Sequence, residues 1–377
     1  MIDSNDFIKA LKKSDIDFVT GVPDSLLKDV CACITNEFSS DKHIIATNEG
    51  SAVALAMGHY LSSGNPALVY MQNSGLGNSV NPITSLAAKE VYAIPMVLMI
   101  GWRGEILENN EQIHDEPQHV KQGQITPDQL ELLGIPYIVI KGNENIIDVI
   151  ERLKNQAIHE SSPVALLVRK NTFSSYKYQK TSDFPNLLSR EEVLNLIVDL
   201  IPDESPVVST TGKTSRELFE IRRERGMGHE KDFLTVGGMG HASQIATGIA
   251  LTRPDIDVYC VDGDGALLMH TGALAISAGV KNLKHIVINN GAHDSVGGQP
   301  TKASNLNLTE LAKTFGYNLF ERVDDKSAII TAINKMMKFD GSSFLEIRCK
   351  IGARIELGRP DRTPRENKNA FMDFLKS

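Results

Sequence analysis

An aspartate between two glycines, followed by a pair of asparagines, is the pattern in this 377-residue chain that most clearly suggests chemistry. Asp264 lies between Gly263 and Gly265 after an apolar segment, and Asn290 follows the next apolar segment. Glycines at a strand end let the backbone approach a ligand closely, and N–H groups of the turn and of the following helix can bind phosphate oxygens. We therefore expect an anion site at Gly263, Gly265 and Ala266.

Asp264 and Asn290 also offer the hard oxygen atoms that Mg²⁺ prefers, since this ion takes about six oxygens at roughly 2.0–2.1 Å and often shares phosphate ligands. The carboxyl ends of neighbouring parallel strands border one crevice, which is the usual ligand position. A Gly-Asp-Gly sequence alone also forms ordinary turns. The combination of strand, turn, helix, strand and Asn-Asn predicts a diphosphate site with Mg²⁺.

Glu49 is a candidate for proton chemistry in the first half of the chain. It follows the predicted strand His43–Ala46 and begins a helix rich in Ala, Val and Leu. Apolar surroundings favour a carboxyl group that shares its proton. The alternative is a helix-terminal Glu that only complements the helix dipole.

The elements that must position these residues alternate between helices and short apolar strands, which predicts parallel sheets covered by helices on both faces, an α/β fold. The pattern restarts after a polar stretch, so we expect a boundary near residues 171–189 and two domains, 1–180 and 181–377. The segment Trp102–Thr126 is less regular and is expected to be a surface loop or an active-site lid. The predicted strands lie around Phe18, at His43–Ala46, Ala67–Met71, Ile94–Ile100, Val207–Ser209, Val258–Val261 and His285–Asn289, near Asn318 and at Phe344–Ile347.

Composition excludes several functional classes. The net charge of −8 argues against general nucleic-acid binding, and no apolar run approaches the roughly 18 residues that a membrane span needs. The four cysteines lack the spacing of a disulfide framework or a zinc site, so we expect a reducing cytoplasm. A nicotinamide dinucleotide site is disfavoured because no GxGxxG follows the first strand.

The GDG and NN segment resembles the fingerprint shared by thiamine-diphosphate enzymes. By that resemblance Asp264 and Asn290 ligate Mg²⁺ through their side chains, and Ala292 does so through its backbone carbonyl. Glu49 matches the acid that hydrogen-bonds the aminopyrimidine ring of thiamine diphosphate, which helps C2 of the thiazolium to lose a proton. The implied fold is two thiamine-diphosphate-binding domains, with 1–180 binding the pyrimidine and 181–377 the diphosphate.

Two further segments match the same family. LTVGGMGHASQ (Leu234–Gln244) resembles the segment that clamps the cofactor rings, so Gly237 would offer a carbonyl and Met239 would be an apolar wedge. Thr211 and Gly212 would contact the diphosphate, although a simple helix cap is the alternative. The resemblance also implies a homo-oligomer, at least a dimer, with active sites between subunits.

In its length the chain is similar to the two-domain decarboxylases of phosphonopyruvate and sulfopyruvate. Motifs such as NNGAHDSVGGQPT (Asn289–Thr301) resemble those of the phosphonate enzymes more than those of the sulfonate enzymes. A small 2-oxo acid with a second anionic group needs clustered donors. For each candidate the alternative is a solvated surface charge, and for the whole chain it is a non-catalytic binding protein. The candidate donors are Ser25, Arg103, His119, Lys121, His293, Gln299, Thr301, Arg354 and Arg359.

Overall fold

The structure is a computed structural model that describes residues 1–176, 184 and 186–376. The chain divides into two compact units, Met1–Lys180 (unit 1) and Thr181–Ser377 (unit 2). In both units strands alternate with helices, which confirms the α/β prediction.

Unit 1 contains one sheet of six parallel strands in the order β2-β1-β3-β4-β6-β5. Its central strands β3, β4 and β6 are runs of buried and mainly apolar residues, with only Gln72 at the end of β3 partly exposed, as expected for a parallel sheet with helices on both faces. The elements are α1 (Ser4–Lys13), β1 (Val19–Gly21), α2 (Lys28–Glu37), β2 (His43–Ile45), α3 (Glu49–Ser63), β3 (Ala67–Gln72), α4 (Leu76–Pro82), β4 (Met96–Gly101), α5 (Pro117–Leu132), β5 (Tyr137–Ile140), α6 (Ile146–Glu160) and β6 (Pro163–Val168).

Unit 2 contains a second sheet of six parallel strands, in the order β8-β7-β9-β10-β12-β11. Counted from the first strand of each unit, both sheets have the order 2-1-3-4-6-5, so the two units are two copies of one fold type. The elements are α7 (Arg190–Leu200), β7 (Val207–Ser209), α8 (Lys213–Glu224), β8 (Asp232–Leu234), α9 (Ala242–Thr252), β9 (Val258–Gly263), α10 (Asp264–Met269), α11 (Leu274–Ser277), β10 (Leu283–Asn289), α12 (Leu308–Phe315), β11 (Leu319–Val323), α13 (Lys326–Lys338), β12 (Ser343–Arg348) and α14 (Pro364–Lys376).

The order of strands determines where each unit can bind a ligand. In unit 2 the chain leaves β7 towards β8 on one side and returns to β9 on the other side of β7. A crevice forms outside the carboxyl ends of the two strands at such a reversal, and ligands bind there in open α/β sheets. The residues after β7, β9 and β10 therefore border the expected site.

The prediction of a loop over Trp102–Thr126 is wrong in its second part, because α5 begins at Pro117. The sequence did not predict this helix because it contains Gly123 and Pro127, and both residue types are poor helix formers. Packing requires glycine at position 123, because a Cβ there would lie 1.8 Å from the carbonyl oxygen of Gly104. Among the helices of residues 1–176 and 186–376, none has the length and apolar character that crossing a bilayer requires.

Candidate active site

The turn after β9 places Asp264 at the first position of α10, where its side chain is buried. The Thr301 hydroxyl donates a hydrogen bond of 2.5 Å to Asp264 Oδ2. Burial raises the pKa of Asp264 to about 7, against the opposing effect of the Thr301 hydrogen bond. A buried carboxylate at a helix N-terminus is suited to bind a cation that offsets the cost of its burial.

The loop after β10 brings Asn290 to the same edge of the sheet, because β10 pairs directly with β9. Asn290 Oδ1 accepts a hydrogen bond of 3.1 Å from the N–H of Ala292, and the N–H of Thr301 donates to the carbonyl of Gly291 at 2.9 Å. The loop thus closes on itself and holds Thr301 against Asp264. The loop that carries Asn290, a predicted metal ligand, therefore contacts Asp264 through Thr301.

The segment with Gly237 and Met239 packs against the glycine turn. A Cβ at Gly265 would lie 3.3 Å from Met239 Cε and 3.2 Å from His293 Cε1. Burial lowers the pKa of His293 to about 4, so this imidazole is neutral at pH 7. The space over Gly265 is therefore bounded by an apolar side chain and a neutral ring.

The turn after β7 lies on the other side of the glycine turn. The N–H of Thr210 donates to the carbonyl of Val261 at 2.8 Å, and a Cβ at Gly263 would lie 3.8 Å from Thr210 Cγ2. Gly212 has φ +91°, and a Cβ there would meet Ser295 Oγ at 2.8 Å. The predicted cofactor residues Thr211 and Gly212 therefore belong to a turn that contacts the loop after β10.

Sequence reasoning missed the charged residues that fasten this loop. Asp294 pairs with Lys213 at 3.3 Å and with Arg190 at 3.0 Å. Arg190 also donates two hydrogen bonds, of 2.7 and 2.8 Å, to the buried Glu217. No local spacing reveals this set, because Arg190 and Asp294 are 104 positions apart in the chain.

Glu49 begins α3 in unit 1, and its side chain is only 6% exposed. Asn78 donates a hydrogen bond of 2.8 Å to Glu49 Oε2. A Cβ at Gly75 would lie 2.6 Å from Glu49 Cγ, so only glycine fits beside the carboxyl group. Gly75, between β3 and α4, and Asn78 on α4 therefore fix the Glu49 side chain, and the sequence did not point to either residue.

Ser25 and Arg103, two of the polar candidates of unit 1, form a cluster after β1 and β4. Arg103 Nη1 donates a hydrogen bond of 2.8 Å to Ser25 Oγ, and Arg103 makes a two-point contact with Asp115 at 2.7 and 2.5 Å. Burial opposes ionisation of Asp115, but hydrogen bonds from Arg103 and from the N–H of Glu116 hold its pKa well below the usual range. The structure thus brings Ser25 and Arg103 together with a carboxylate.

The remaining substrate candidates have different surroundings. His119 is buried on α5, whereas Lys121 on the same helix is exposed. In unit 2 Arg354 pairs with Glu191 at 2.8 Å and with Glu220. The structure leaves Arg359 exposed.

Two family models match the chain, one in each unit. Residues 4–132 match the family described as "Thiamine pyrophosphate enzyme, N-terminal TPP binding domain". Residues 210–347 match the "Thiamine pyrophosphate enzyme, C-terminal TPP binding domain". The chain belongs to the thiamine pyrophosphate enzymes.

Within this family the chain is similar to decarboxylases. It is 31% identical to a phosphonopyruvate decarboxylase of Streptomyces viridochromogenes over 100% of this chain and 95% of that protein. It is 28% identical to a sulfopyruvate decarboxylase of Methanosarcina acetivorans over 98% of this chain and 96% of that protein. It is 36% identical to the sulfopyruvate decarboxylase subunit alpha of Methanococcus maripaludis over 42% of this chain and 90% of that subunit. This thiamine pyrophosphate enzyme is a carboxy-lyase.

The residues of unit 2 fit thiamine diphosphate and Mg²⁺. Gly263 and Gly265 leave a concave turn that a Cβ at Gly265 would narrow. The side-chain amide of Gln299, completely buried in the loop after Asn290, has no hydrogen-bond partner for either atom among the described residues. Such a group costs free energy unless a water or a ligand satisfies it. Thiamine diphosphate, when bound, supplies an electron sink for decarboxylation.

Proposed function

We propose that this enzyme converts 3-phosphonopyruvate to phosphonoacetaldehyde and CO₂ with thiamine diphosphate and Mg²⁺. The proposal is supported most directly by the approach of Asp264 and the Asn290 loop at one sheet edge, where Thr301 joins them. The similarity to a phosphonopyruvate decarboxylase over the whole chain adds the substrate class.

In this proposal the two units have different roles. Unit 1 is the pyrimidine-binding domain, in which Glu49 hydrogen-bonds the aminopyrimidine ring. Unit 2 is the diphosphate-binding domain, in which Asp264, Asn290 and the Ala292 carbonyl hold Mg²⁺. Gly237 and Met239 contact the cofactor rings, whereas the phosphates lie against Thr211, Gly212, Gly263, Gly265 and Ala266.

The cluster of Ser25 and Arg103 is the best-supported candidate for the phosphonate group. A guanidinium presents several donors in a fixed plane, which suits phosphonate oxygens. The two-point contact with Asp115 orients that plane. Replacing Arg103 by Met is expected to raise KM for 3-phosphonopyruvate at least tenfold while leaving the Kd for thiamine diphosphate unchanged.

We propose a homo-oligomer, at least a dimer, in which Glu49 of one subunit and Asp264 of another complete each site. Exposed apolar side chains on the helices that carry or adjoin these sites support the proposal, since such side chains often mark interfaces. They are Leu55 and Leu61 on α3, and Ile245 and Leu251 on α9.

Mixing two inactive variants, Glu49→Gln and Asp264→Asn, tests this arrangement. Random exchange of subunits gives half hybrid dimers with one intact site each, so about a quarter of the wild-type activity is expected. Native mass spectrometry of the same mixture verifies that subunits have exchanged. Hybrid dimers without activity would contradict the proposal.

A cytoplasmic location is part of the same proposal. The four cysteines are free thiols, and all are buried. Thiols in this state suit a reducing compartment.

A direct assay of the substrate decides between the candidate functions. CO₂ release from 3-phosphonopyruvate and from sulfopyruvate is measured with the same enzyme, Mg²⁺ and thiamine diphosphate. We expect kcat/KM to be at least tenfold higher for the phosphonate. A preference for the sulfonate would identify the alternative enzyme, and no release from either would favour a non-catalytic binding protein.

A further inference from the structure

The buried carboxylate of Asp262 contacts the backbone of the glycine turn. Asp262 Oδ1 accepts a hydrogen bond of 2.8 Å from the N–H of Gly263. Asp262 Oδ2 lies 3.6 Å from Nε2 of His285, and both side chains are almost completely buried. His285 Nδ1 lies 3.0 Å from the hydroxyl of Tyr317. These contacts link the turn to the interior of unit 2.

The same chain of polar groups continues to the segment that carries Met239. Ser277 is near Tyr317, because Leu274 on α11 and Ala278, which follows Ser277, pack with Tyr317 in one buried cluster. Ser277 Oγ in turn accepts a hydrogen bond of 2.9 Å from Gln244 and lies 2.8 Å from Thr247 Oγ1. Gln244 and Thr247 belong to α9, which begins directly after the segment with Gly237 and Met239.

One direction of donation can satisfy most of this chain. Gln244 donates to Ser277, and the Tyr317 hydroxyl donates to His285 Nδ1. His285 Nε2 lies 3.6 Å from Asp262 Oδ2, which is a close polar contact and too long for a hydrogen bond. The tautomer of His285 is inferred from these partners. A buried polar group that loses its partner keeps the cost of its desolvation, so the chain favours a single arrangement of its members.

We propose that this buried polar chain, from Asp262 through His285 and Tyr317 to Ser277 and α9, positions the metal-binding turn relative to the segment that contacts the cofactor rings. The inference rests on the proposed function, because it assumes that both segments contact the cofactor. Asp262, His285 and Tyr317 act through Gly263 and α9, so they are positioning residues.

The variant Tyr317→Phe tests the chain at its centre, and Tyr259→Phe is its matched control. Tyr259 is also completely buried, but its hydroxyl has no hydrogen-bond partner among the described residues. Calorimetry gives the Kd for Mg²⁺ at saturating thiamine diphosphate, and thermal unfolding without cofactor reports on the fold. We expect Tyr317→Phe to raise the Kd roughly tenfold or more and Tyr259→Phe to leave it within twofold.

Two further variants keep the inference testable if Tyr317→Phe does not fold. Ser277→Ala breaks the chain at its far end and is expected to raise the same Kd. Asp262→Asn keeps an acceptor for Gly263 and is expected to bind Mg²⁺ more tightly than Asp262→Ala. Equal Kd values for Ser277→Ala, Asp262→Ala and wild type would overturn the inference.

Other outcomes separate this inference from the proposed function. Cys260 Sγ lies within 4.8 Å of the Asp262 and His285 ligand atoms. One equivalent of zinc in the purified enzyme, lost in Cys260→Ala, would overturn the buried polar chain in favour of a metal site. Wild-type enzyme that binds no thiamine diphosphate would contradict the proposed function and this inference with it.

Discussion

Lys213 and Asp294 form an ion pair of 3.3 Å that joins the turn after β7 to the loop after β10. Both segments border the carboxyl edge of the sheet in unit 2, where the proposed metal ligands Asp264 and Asn290 lie. Asp294 also pairs with the buried Arg190, which in turn holds Glu217. The loop that carries Asn290 is therefore fastened to the core by charges.

Replacing Arg190 by Met is expected to lower the free energy of unfolding by about 3–5 kcal/mol, because Glu217 and Asp294 are then left as buried charges without this partner. Urea denaturation measures the change. Glu310→Gln, in an exposed pair with Lys313, is the control and is expected to change stability by less than about 1 kcal/mol. A similar small effect for Arg190→Met would show that the buried pairs contribute little.

Gly265→Ala is expected to weaken cofactor binding, because the added methyl group is 3.2–3.3 Å from His293 and Met239. Overpacking of this kind costs about 1–3 kcal/mol, and the same free energy lost from binding raises the Kd for thiamine diphosphate roughly 5- to 150-fold. Calorimetric titration measures it. Gly248→Ala on α9 is the matched control, since nothing lies within 4 Å of a Cβ there. Unchanged affinity in Gly265→Ala would contradict the assignment of this turn.

The stability of unit 2 is expected to fall as the pH decreases below the ordinary His pKa of 6.5, in part because of His229. Its ring stacks on Phe219 with centroids 3.9 Å apart. Burial lowers the pKa of His229, and the charges facing it come from Arg362, Asp361, Glu230 and Arg222. The unfolded chain therefore binds a proton at a higher pH than the folded chain does, which favours unfolding as the pH falls.

Urea denaturation between pH 8 and pH 5 checks this prediction. The variant His229→Gln should lose less stability over that range than the wild type does. His114→Gln, at an exposed position, is the control for removal of a histidine. Parallel curves for wild type and His229→Gln would contradict the prediction.

The strand pattern of the sequence indicated which residues border the carboxyl edge of the sheet, because parallel strands bring their carboxyl ends together. Asp264 and Asn290 follow paired strands, so their approach follows from the strand pattern alone. Thr301 lies 37 positions after Asp264, and only the closed loop brings it there. The sequence did not predict β5, β6 and β8. Length alone does not explain this, because β2 and β7 are as short as β8 and were predicted.

The rate of CO₂ release from 3-phosphonopyruvate by Glu49→Gln, at saturating thiamine diphosphate and Mg²⁺, tests the central claim most directly. The buried Glu49 carboxyl group is proposed to act on a cofactor that Asp264 and Asn290 hold through its metal. We predict a maximal rate at least about 100-fold below that of the wild type. A wild-type rate in this variant would contradict the account.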